Sequence, residues 1–393
     1  MTTTIPKTPH RTHQAERLRV ALIVGTLSQG GAEKQLVYMA QALQQSGVEV
    51  RVYCLTLGEF YETSLRAIGL QPIWIGQYGN PLLRLIRLNM ALLSYRPHII
   101  QSTHFYTNLY TALSGYLRRV IALGAVRNDA YSEVKANGRW GHWLLHLPPA
   151  LLANSYQAQD NIGKLGVKAK RVNVLSNVID LAAFDQRITE GREPNINPTP
   201  PTAIAVARLV PQKRLERFIA ALAIARHRGA ALRGVIVGDG PERPRLEALA
   251  QSLGLVPDGV SFLGLRDDIP ALLRQSAMLV LCSDHEGFPN VLIEAMAAHL
   301  PVITTPAGDA STIIHEGVNG YVVSFNDIET MAEHMVRLAH APALRDHLGK
   351  VGRQSVEQRY SSTGLGRSLL AVYSSIAKQQ GKLRILEMLS TEC

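Results

Sequence analysis

Strand-sized apolar runs alternate with longer amphipathic stretches along nearly the whole chain, and the alternation breaks once. Arg19–Thr26 (RVALIVGT) is rich in Val, Ile and Leu, the composition of a parallel strand buried on both faces. A glycine-bearing loop follows. Ala32–Ser46 then carries Leu36, Met39, Ala40 and Leu43 at helical spacing, with Gly47 placed to end the helix. Further strands are expected at Glu49–Leu57, Gln71–Ile75, His98–His104, Val120–Arg127, Leu151–Ser155 and Arg171–Ser176. Gln186–Pro201 is a polar run with four prolines and two asparagines and reads as a linker. The alternation restarts with strands expected at Thr202–Ala207, Leu232–Gly238, Val260–Leu263, Met278–Ser283 and Pro301–Thr305, separated by helical runs such as Leu215–Arg226 and Arg243–Leu253. Repeated β-α alternation demands parallel sheets with right-handed crossovers. Two such series around one linker predict an α/β protein of two doubly wound domains. Ligands of such sheets bind beyond the C-terminal strand ends, so a cleft between facing domains is the expected site.

The expected layout is a disordered leader at 1–17, a first domain at 18–185, the linker at 186–201 and a second domain at 202–360. A C-terminal helix and tail at 361–393 carries an apolar stripe of Leu365, Leu369, Leu370, Val372, Tyr373 and Ile376. No run reaches the ~18 apolar residues of a membrane-spanning helix, and the first residues lack the apolar core of a signal peptide. Cys54, Cys282 and Cys393 have no metal-ligand spacing. The first two sit in apolar strands and read as buried free thiols, which points to a reducing, cytoplasmic compartment.

The net charge of +10 is uneven. Residues 1–185 hold 19 Lys/Arg against 10 Asp/Glu, a balance of +9, whereas residues 186–393 hold 22 against 21. An excess confined to one half favours an anionic partner such as a membrane surface or a phosphorylated lipid. It lacks the clustered aromatic and basic motifs of a nucleic-acid reader, and no nucleic-acid partner is expected.

Four segments carry the chemistry. The first is Glu286-Gly287-Phe288-Pro289-Asn290-Val291-Leu292-Ile293-Glu294, after the strand Met278–Ser283. Pro289 suits a first helical turn and Gly287 permits a sharp bend before it, so the helix start can hold a phosphate on backbone N–H groups. Glu286 then lies at the strand end. Glu294 shares a helix face with Asn290, and the two carboxylates can accept hydrogen bonds from sugar and ribose hydroxyls. The second segment is Ala207–Arg214 (ARLVPQKR), where Arg208 and Lys213 flank a tight loop and can converge on one diphosphate. There is no Asp-x-Asp pair between strand and loop to hold a magnesium ion, so Arg and Lys would stabilise a leaving nucleotide in its place. The third is Leu27–Glu33 (LSQGGAE), where Gly30 and Gly31 let a ligand approach the backbone without the Gly-x-Gly-x-x-Gly spacing of a dinucleotide site. The fourth is Gln101–Asn108 (QSTHFYTN), which offers His104 to the cleft. Gly238-Asp239-Gly240-Pro241 adds another strand-to-helix turn where a nucleotide can sit.

The string EGFPNVLIE resembles the signature of glycosyltransferase family 4, and ARLVPQKRLE resembles that family's phosphate-binding Arg and Lys segment. VGDGPER, SFLGL, LSNVID at Leu175–Asp180 and the GGAE loop match in order and spacing, and the likeness runs from about Val20 to Tyr360. The resemblance implies the glycosyltransferase-B fold: two facing Rossmann-like domains, with the tail helix crossing back to the first. It also implies retention of anomeric configuration, a nucleotide-sugar donor, no cofactor and no metal. Carried over, Glu294 holds the ribose and Glu286 the donor-sugar hydroxyls. Arg208 and Lys213 neutralise the diphosphate. Phe288, Pro289, Asn290 and Val291 line the donor site, and Gly30 and Gly31 meet the phosphate or acceptor. Two departures stand out. The family's first-domain histidine, aligned through Asn108, falls on Thr103, with His104 one position later. The family's Gly-Gly turn after the strand Pro301–Thr305 reads Pro306-Ala307-Gly308-Asp309 here.

The expected reaction is transfer of a sugar, retaining its configuration, to a glycan or lipid-linked acceptor in bacterial surface polysaccharide or lipopolysaccharide synthesis. A nucleotide-sugar 2-epimerase of the same architecture and a non-catalytic nucleotide-sugar binder are the competing readings. Arg139–Leu147 (RWGHWLLHL) mixes Trp, His and aliphatic residues beside basic ones, a pattern able to dip into a membrane interface. With the basic first half, it suggests a cytoplasmic enzyme peripheral on the inner face of the membrane.

Overall fold

A computed structural model describes residues 16–190 and 200–391. Apart from Glu16 and Arg17, the leader expected at 1–17 lies outside the described residues, as do most of the linker and Cys393. The first lobe contains strands β1 (Arg19–Val24), β2 (Glu49–Cys54), β3 (Ile73–Trp74), β4 (Ile99–Ser102), β5 (Ile121–Val126), β6 (Ala150–Ala153) and β7 (Val172–Val174). They form one parallel sheet in the order β3-β2-β1-β4-β5-β6-β7. The second lobe contains β8 (Thr202–Val206), β9 (Arg233–Val237), β10 (Val260–Phe262), β11 (Met278–Leu281), β12 (Val302–Thr304) and β13 (Gly320–Val322), ordered β10-β9-β8-β11-β12-β13 and also parallel. The short edge strand β13 was not among the expected strands. Its three residues begin with glycine, too short a run to show a period.

Each strand order reverses beside its first strand, so helices cover both faces of each sheet. One face of the first sheet is covered by helix Gly31–Gln45 and the C-terminal helix Leu365–Gln379, whose Leu369, Leu370, Tyr373 and Ile376 share a core with Leu36, Met39 and Leu43. Tyr373 also donates from its hydroxyl to Gln101 Oε1 at 2.6 Å. The tail helix therefore crosses back and belongs to the first core. Beyond β3, the crossover helices Pro81–Tyr95 and Asn108–Arg118 cover the other face, where Leu88, Leu92, Tyr95 and Tyr110 pack under β1 and β4.

The two chain passages between lobes pair with each other. Ile179 N–H donates to Tyr360 O at 2.8 Å, and Ser362 N–H donates to Ile179 O at 2.9 Å. This alters the expected boundaries. Residues 186–190 are not linker: they finish helix Leu181–Glu190, whose first turns carry Phe184 into the second-lobe core with Leu272 and Leu273. Asp185 pairs with Arg353 at 2.7 Å. The polar composition of Gln186–Glu190 belongs to the solvent side of a helix that packs on the second lobe, so the switch between lobes falls near Ile179.

Candidate active site

The loop after β11 is built by mutual hydrogen bonding with the loop after β8. Glu286 accepts from Ser283 Oγ at 2.6 Å and from Lys213 Nζ at 2.5 Å. Asp284 N–H donates to Gln212 O at 3.0 Å, and Gln212 Nε2 donates to His285 O. Helix Asn290–Ala297 begins directly after Pro289 with no side-chain cap. Leu292 N–H donates to Pro289 O at 3.0 Å, and the positive end of the helix dipole lies beside these charges. Gly308, at φ 59°, closes the turn after β12 onto this loop: a Cβ there would lie 2.4 Å from Gly287 O. Phe288 is buried against Tyr360, with ring centroids 5.7 Å apart, which fixes where the loop enters the helix.

The first lobe meets this loop closely. A Cβ on Gly31 would sit 2.5 Å from Asn290 Nδ2, and Asn290 Oδ1 accepts from Asn177 Nδ2 at 2.9 Å. Lys34, one turn into helix Gly31–Gln45, donates to Glu294 Oε1 at 2.9 Å. Burial works against the Lys34 charge, but Glu294, with smaller contributions from Tyr38 and Tyr61, outweighs it and holds the ammonium above its ordinary pKa. A second bond set joins the lobes at the turn after β12. Asp309 accepts from Tyr156 N–H and Gln157 N–H, both at 2.9 Å, and so caps first-lobe helix Tyr156–Lys164 from the opposite lobe.

His104 and Thr103 divide in direction, as neighbours at a strand end must. Thr103 is buried, with its hydroxyl on Ile23 O at 3.1 Å. His104 lines the cleft. Its Nδ1 accepts from Gly25 N–H at 3.2 Å, so Nε2 carries the proton and donates to Glu33 Oε1 at 3.2 Å. Burial raises the Glu33 pKa, but hydrogen bonds from His104 and Thr26 more than reverse this and leave it lowered. Both ring nitrogens are thus engaged by protein groups, which suits a wall-forming role better than a free base.

These residues enclose two adjoining cavities. One, of about 490 Å³, is lined by Gly30, Gly31 and Lys34 from the first lobe and by Lys213, Glu286, Phe288, Pro289, Asn290, Val291 and Glu294 from the second. The other, of about 340 Å³, brings His104, Arg208, Lys213, Glu286 and Asn290 together. Gly238 and Asp239 line neither. Gly238, at φ 129°, instead lets β9's exit pass Ala207, where a Cβ would lie 1.9 Å from Ala207 O. Asp239 O accepts from Leu209 N–H at 2.9 Å. Both residues thus help hold the loop that carries Arg208.

The structure adds Arg187 and Arg266 to the larger cavity, together with Asp267, whose pair with Asp268 reads in the sequence as a helix cap. Asp268 stands at the N-cap position of helix Ile269–Gln275, but its carboxylate grips Arg266 at 2.8 and 2.5 Å and does not cap the helix. Glu133 and Arg127 line the smaller cavity. Burial pushes the Glu133 carboxyl up to about 7 and the Arg127 guanidinium down to about 10. No motif marks either residue. Lys34 directly follows the GGAE string and was the most legible of those missed. Cys54 and Cys282 are buried free thiols, each pushed up to about 12 by desolvation.

Residues 29–183 match the family model described as Glycosyltransferase Family 4, and residues 186–355 match Glycosyl transferases group 1. The chain is 39% identical over 178 residues to the exopolysaccharide phosphotransferase SCO2592 of Streptomyces coelicolor, covering 43% of this chain and 18% of that protein. It is 25% identical over 378 residues to the lipopolysaccharide core biosynthesis glycosyltransferase LpsD of Rhizobium meliloti, covering 90% and 97%. The match spans only 57%, 46% and 50% of three other curated relatives. The crystal structure of Anabaena Alr3699/HepE in complex with UDP-glucose superposes with a TM-score of 0.79 at 20% identity, covering 91% of this chain and all of that one. With both sheets, the crossing tail helix and the two adjoining family matches in place, the chain belongs to the group 1 glycosyltransferases of family 4, with the glycosyltransferase-B fold.

Proposed function

We propose that this protein transfers a sugar from a nucleotide-diphosphate donor to a hydroxyl of a glycan or lipid-linked acceptor, with retention of configuration and without a metal. The observation that carries the reading is the meeting of Arg208, Lys213 and the uncapped start of helix Asn290–Ala297 around a single cavity, with Glu286 held by Lys213 beside them. Two cations and a helix N-terminus are what a departing diphosphate requires. The larger cavity, with Glu294 at its wall, is the place for the nucleoside, and Glu286 is placed for donor-sugar hydroxyls. The acceptor enters between the donor sugar and the first-lobe wall of His104 and Glu133. Its hydroxyl forms the new glycosidic bond on the face from which the diphosphate leaves, and its proton passes to the leaving phosphate oxygen. No protein base is then needed, in keeping with the engaged nitrogens of His104.

The place of action we propose is the cytoplasmic face of the membrane, in surface polysaccharide assembly. Relatives named for lipopolysaccharide core and capsular polysaccharide synthesis support it. UDP-glucose, which the Anabaena protein binds, is the first donor to try. The test is a thermal-stability screen of nucleotides and nucleotide sugars without added metal, followed by product analysis with the stabilising donor. A donor-specific rise in melting temperature that Glu294→Ala abolishes is expected. Conversion of the donor to its C2 epimer with no acceptor present would replace this reading with the epimerase one.

A further inference from the structure

Helix Pro81–Tyr95 (PLLRLIRLNMALLSY) is apolar on two sides, and only one side is covered. Leu88, Leu92 and Tyr95 are buried under the first sheet. The opposite side leaves Leu82 62%, Leu83 44%, Ile86 49%, Met90 66% and Leu93 64% exposed, and among the described residues nothing packs over them. A helix that is apolar all round normally lies inside a protein or against an apolar partner, and an uncovered stripe of this length marks an interaction surface. The neighbouring helix Asn108–Arg118 extends it. Asn89 Nδ2 donates to Ser114 Oγ at 3.0 Å, Arg118 donates to Asn89 O, and that helix ends in the exposed pair Tyr116 and Leu117.

Charge decides what covers the stripe. From Thr63 to Asn128 the chain holds seven arginines and not one Asp or Glu. Arg84 and Arg87 flank the stripe and hydrogen-bond to Tyr78 O and Trp74 O, where two partly exposed aromatic side chains stand. Aliphatic residues in the middle, arginines and amphipathic aromatics at the margin and no acid along this stretch of chain are the arrangement of a helix lying in the plane of an anionic bilayer. Acidic residues on this surface would be repelled by an anionic phospholipid bilayer.

We infer that helix Pro81–Tyr95 docks the first lobe onto an anionic phospholipid membrane. Arg139–Leu147 is the other segment whose sequence suggests membrane contact. There Trp140 and Trp143 are exposed, but Leu144 and Leu145 are buried, so that short helix offers two side chains and no stripe. Position also favours the docking helix. Helix Pro81–Tyr95 starts just beyond β3, at the C-terminal sheet end that faces the cleft. A lipid-linked acceptor rising from the bilayer would meet the cleft from that end. This use of the surface rests on the transferase reading; the docking itself does not.

The test is flotation of the full chain with vesicles of phosphatidylcholine, with and without phosphatidylglycerol, at low and high salt. Binding is expected to the phosphatidylglycerol vesicles and to weaken with salt. The double substitution Met90→Gln and Leu93→Gln, at exposed positions without hydrogen bonds to lose, is expected to lower the bound fraction roughly tenfold with unchanged melting temperature. Equal flotation of wild type and variant, or no preference for the anionic vesicles, would overturn the inference. So would a wild-type dimer by light scattering that the double variant converts to monomer, since a second copy would then be the occupant. Nucleotide-induced stabilisation is read on the same samples: if it fails while vesicle binding holds, the donor-site reading falls and the docking surface stands.

Discussion

Lys34 Nζ and Glu294 Oε1 meet at 2.9 Å, one from each lobe and 260 positions apart in the chain. The pair closes the cleft beside the larger cavity and occupies the carboxylate that the family resemblance assigns to the ribose. A donor entering that cavity must therefore share or displace Lys34.

Replacing Lys34 by Met leaves Glu294 partly buried without its cation. The pair is mostly shielded, with side chains 27% and 20% exposed, so the loss is expected to be about 1–2 kcal/mol of stability, below the cost of breaking a fully buried pair. The same change frees Glu294 for the donor. Denaturant unfolding and the donor dissociation constant check both halves. A variant that is destabilised and also binds donor much more weakly would show that Lys34 contacts the donor itself.

Arg208 is exposed and makes no ion pair among the described residues, so Arg208→Ala should leave the melting temperature unchanged. Its effect belongs to the transition state, where loss of one charged donor costs roughly 10²–10³ in kcat. Lys213→Ala differs because it also strips Glu286 of its 2.5 Å partner, and it should lower stability as well as kcat. Near-normal turnover in Arg208→Ala would remove the diphosphate from this cavity.

Gly287 touches the first lobe through its missing side chain. A Cβ there would lie 2.8 Å from Asn128 Cα and 2.9 Å from Arg127 O, backbone atoms that cannot swing aside. Gly287→Ala should therefore hold the lobes apart while each keeps its own core. The expected result is a larger radius of gyration by small-angle scattering, retained nucleotide binding and a fall in kcat of at least about tenfold, since closure assembles the site. An unchanged kcat would mean that turnover does not pass through this closed arrangement.

Glu133 has a pKa raised from 4.5 to about 7 by burial at the smaller cavity. For a carboxyl raised in the folded state, the unfolded chain releases its proton first. The native protein therefore loses stability as pH climbs from about 4.5 through about 7. Glu133→Gln removes that loss. The variant should match wild type at pH 4 and exceed it by about 1–2 kcal/mol at pH 8, an amount reduced from the full linkage value because the side chain is partly exposed. Urea unfolding at the two pH values is the measurement, and identical wild-type and variant curves at pH 8 would refute the assignment.

Much of the site was legible because its residues follow strand ends. Glu286 to Glu294, Arg208 with Lys213, and Gly30 with Gly31 stand where an apolar run stops and a helix begins, and the cavities form there. Gly238 and Asp239 show the limit of that signal. They occupy an equivalent turn, yet a backbone passing Ala207 requires the glycine, and neither residue lines the two cavities. Glu133 and Arg127 were hidden for the opposite reason: no turn or motif marks them, and only the fold brings them to a cavity that the second-lobe loop also lines.

By itself, the sequence determined the two parallel sheets, because buried parallel strands must be continuous apolar runs and their crossovers must be amphipathic helices. It also pointed to the strand ends as the place of the cavities, because ligands of parallel sheets bind beyond the C-terminal ends of the strands. The tertiary structure alone decided which charges meet across the cleft: Lys34 with Glu294, and Asp309 with the start of helix Tyr156–Lys164. It also decided where the chain changes lobes and that helix Pro81–Tyr95 keeps one apolar face uncovered. Those facts depend on how two folded bodies pack, and no local period in the chain encodes the distance between residues hundreds of positions apart.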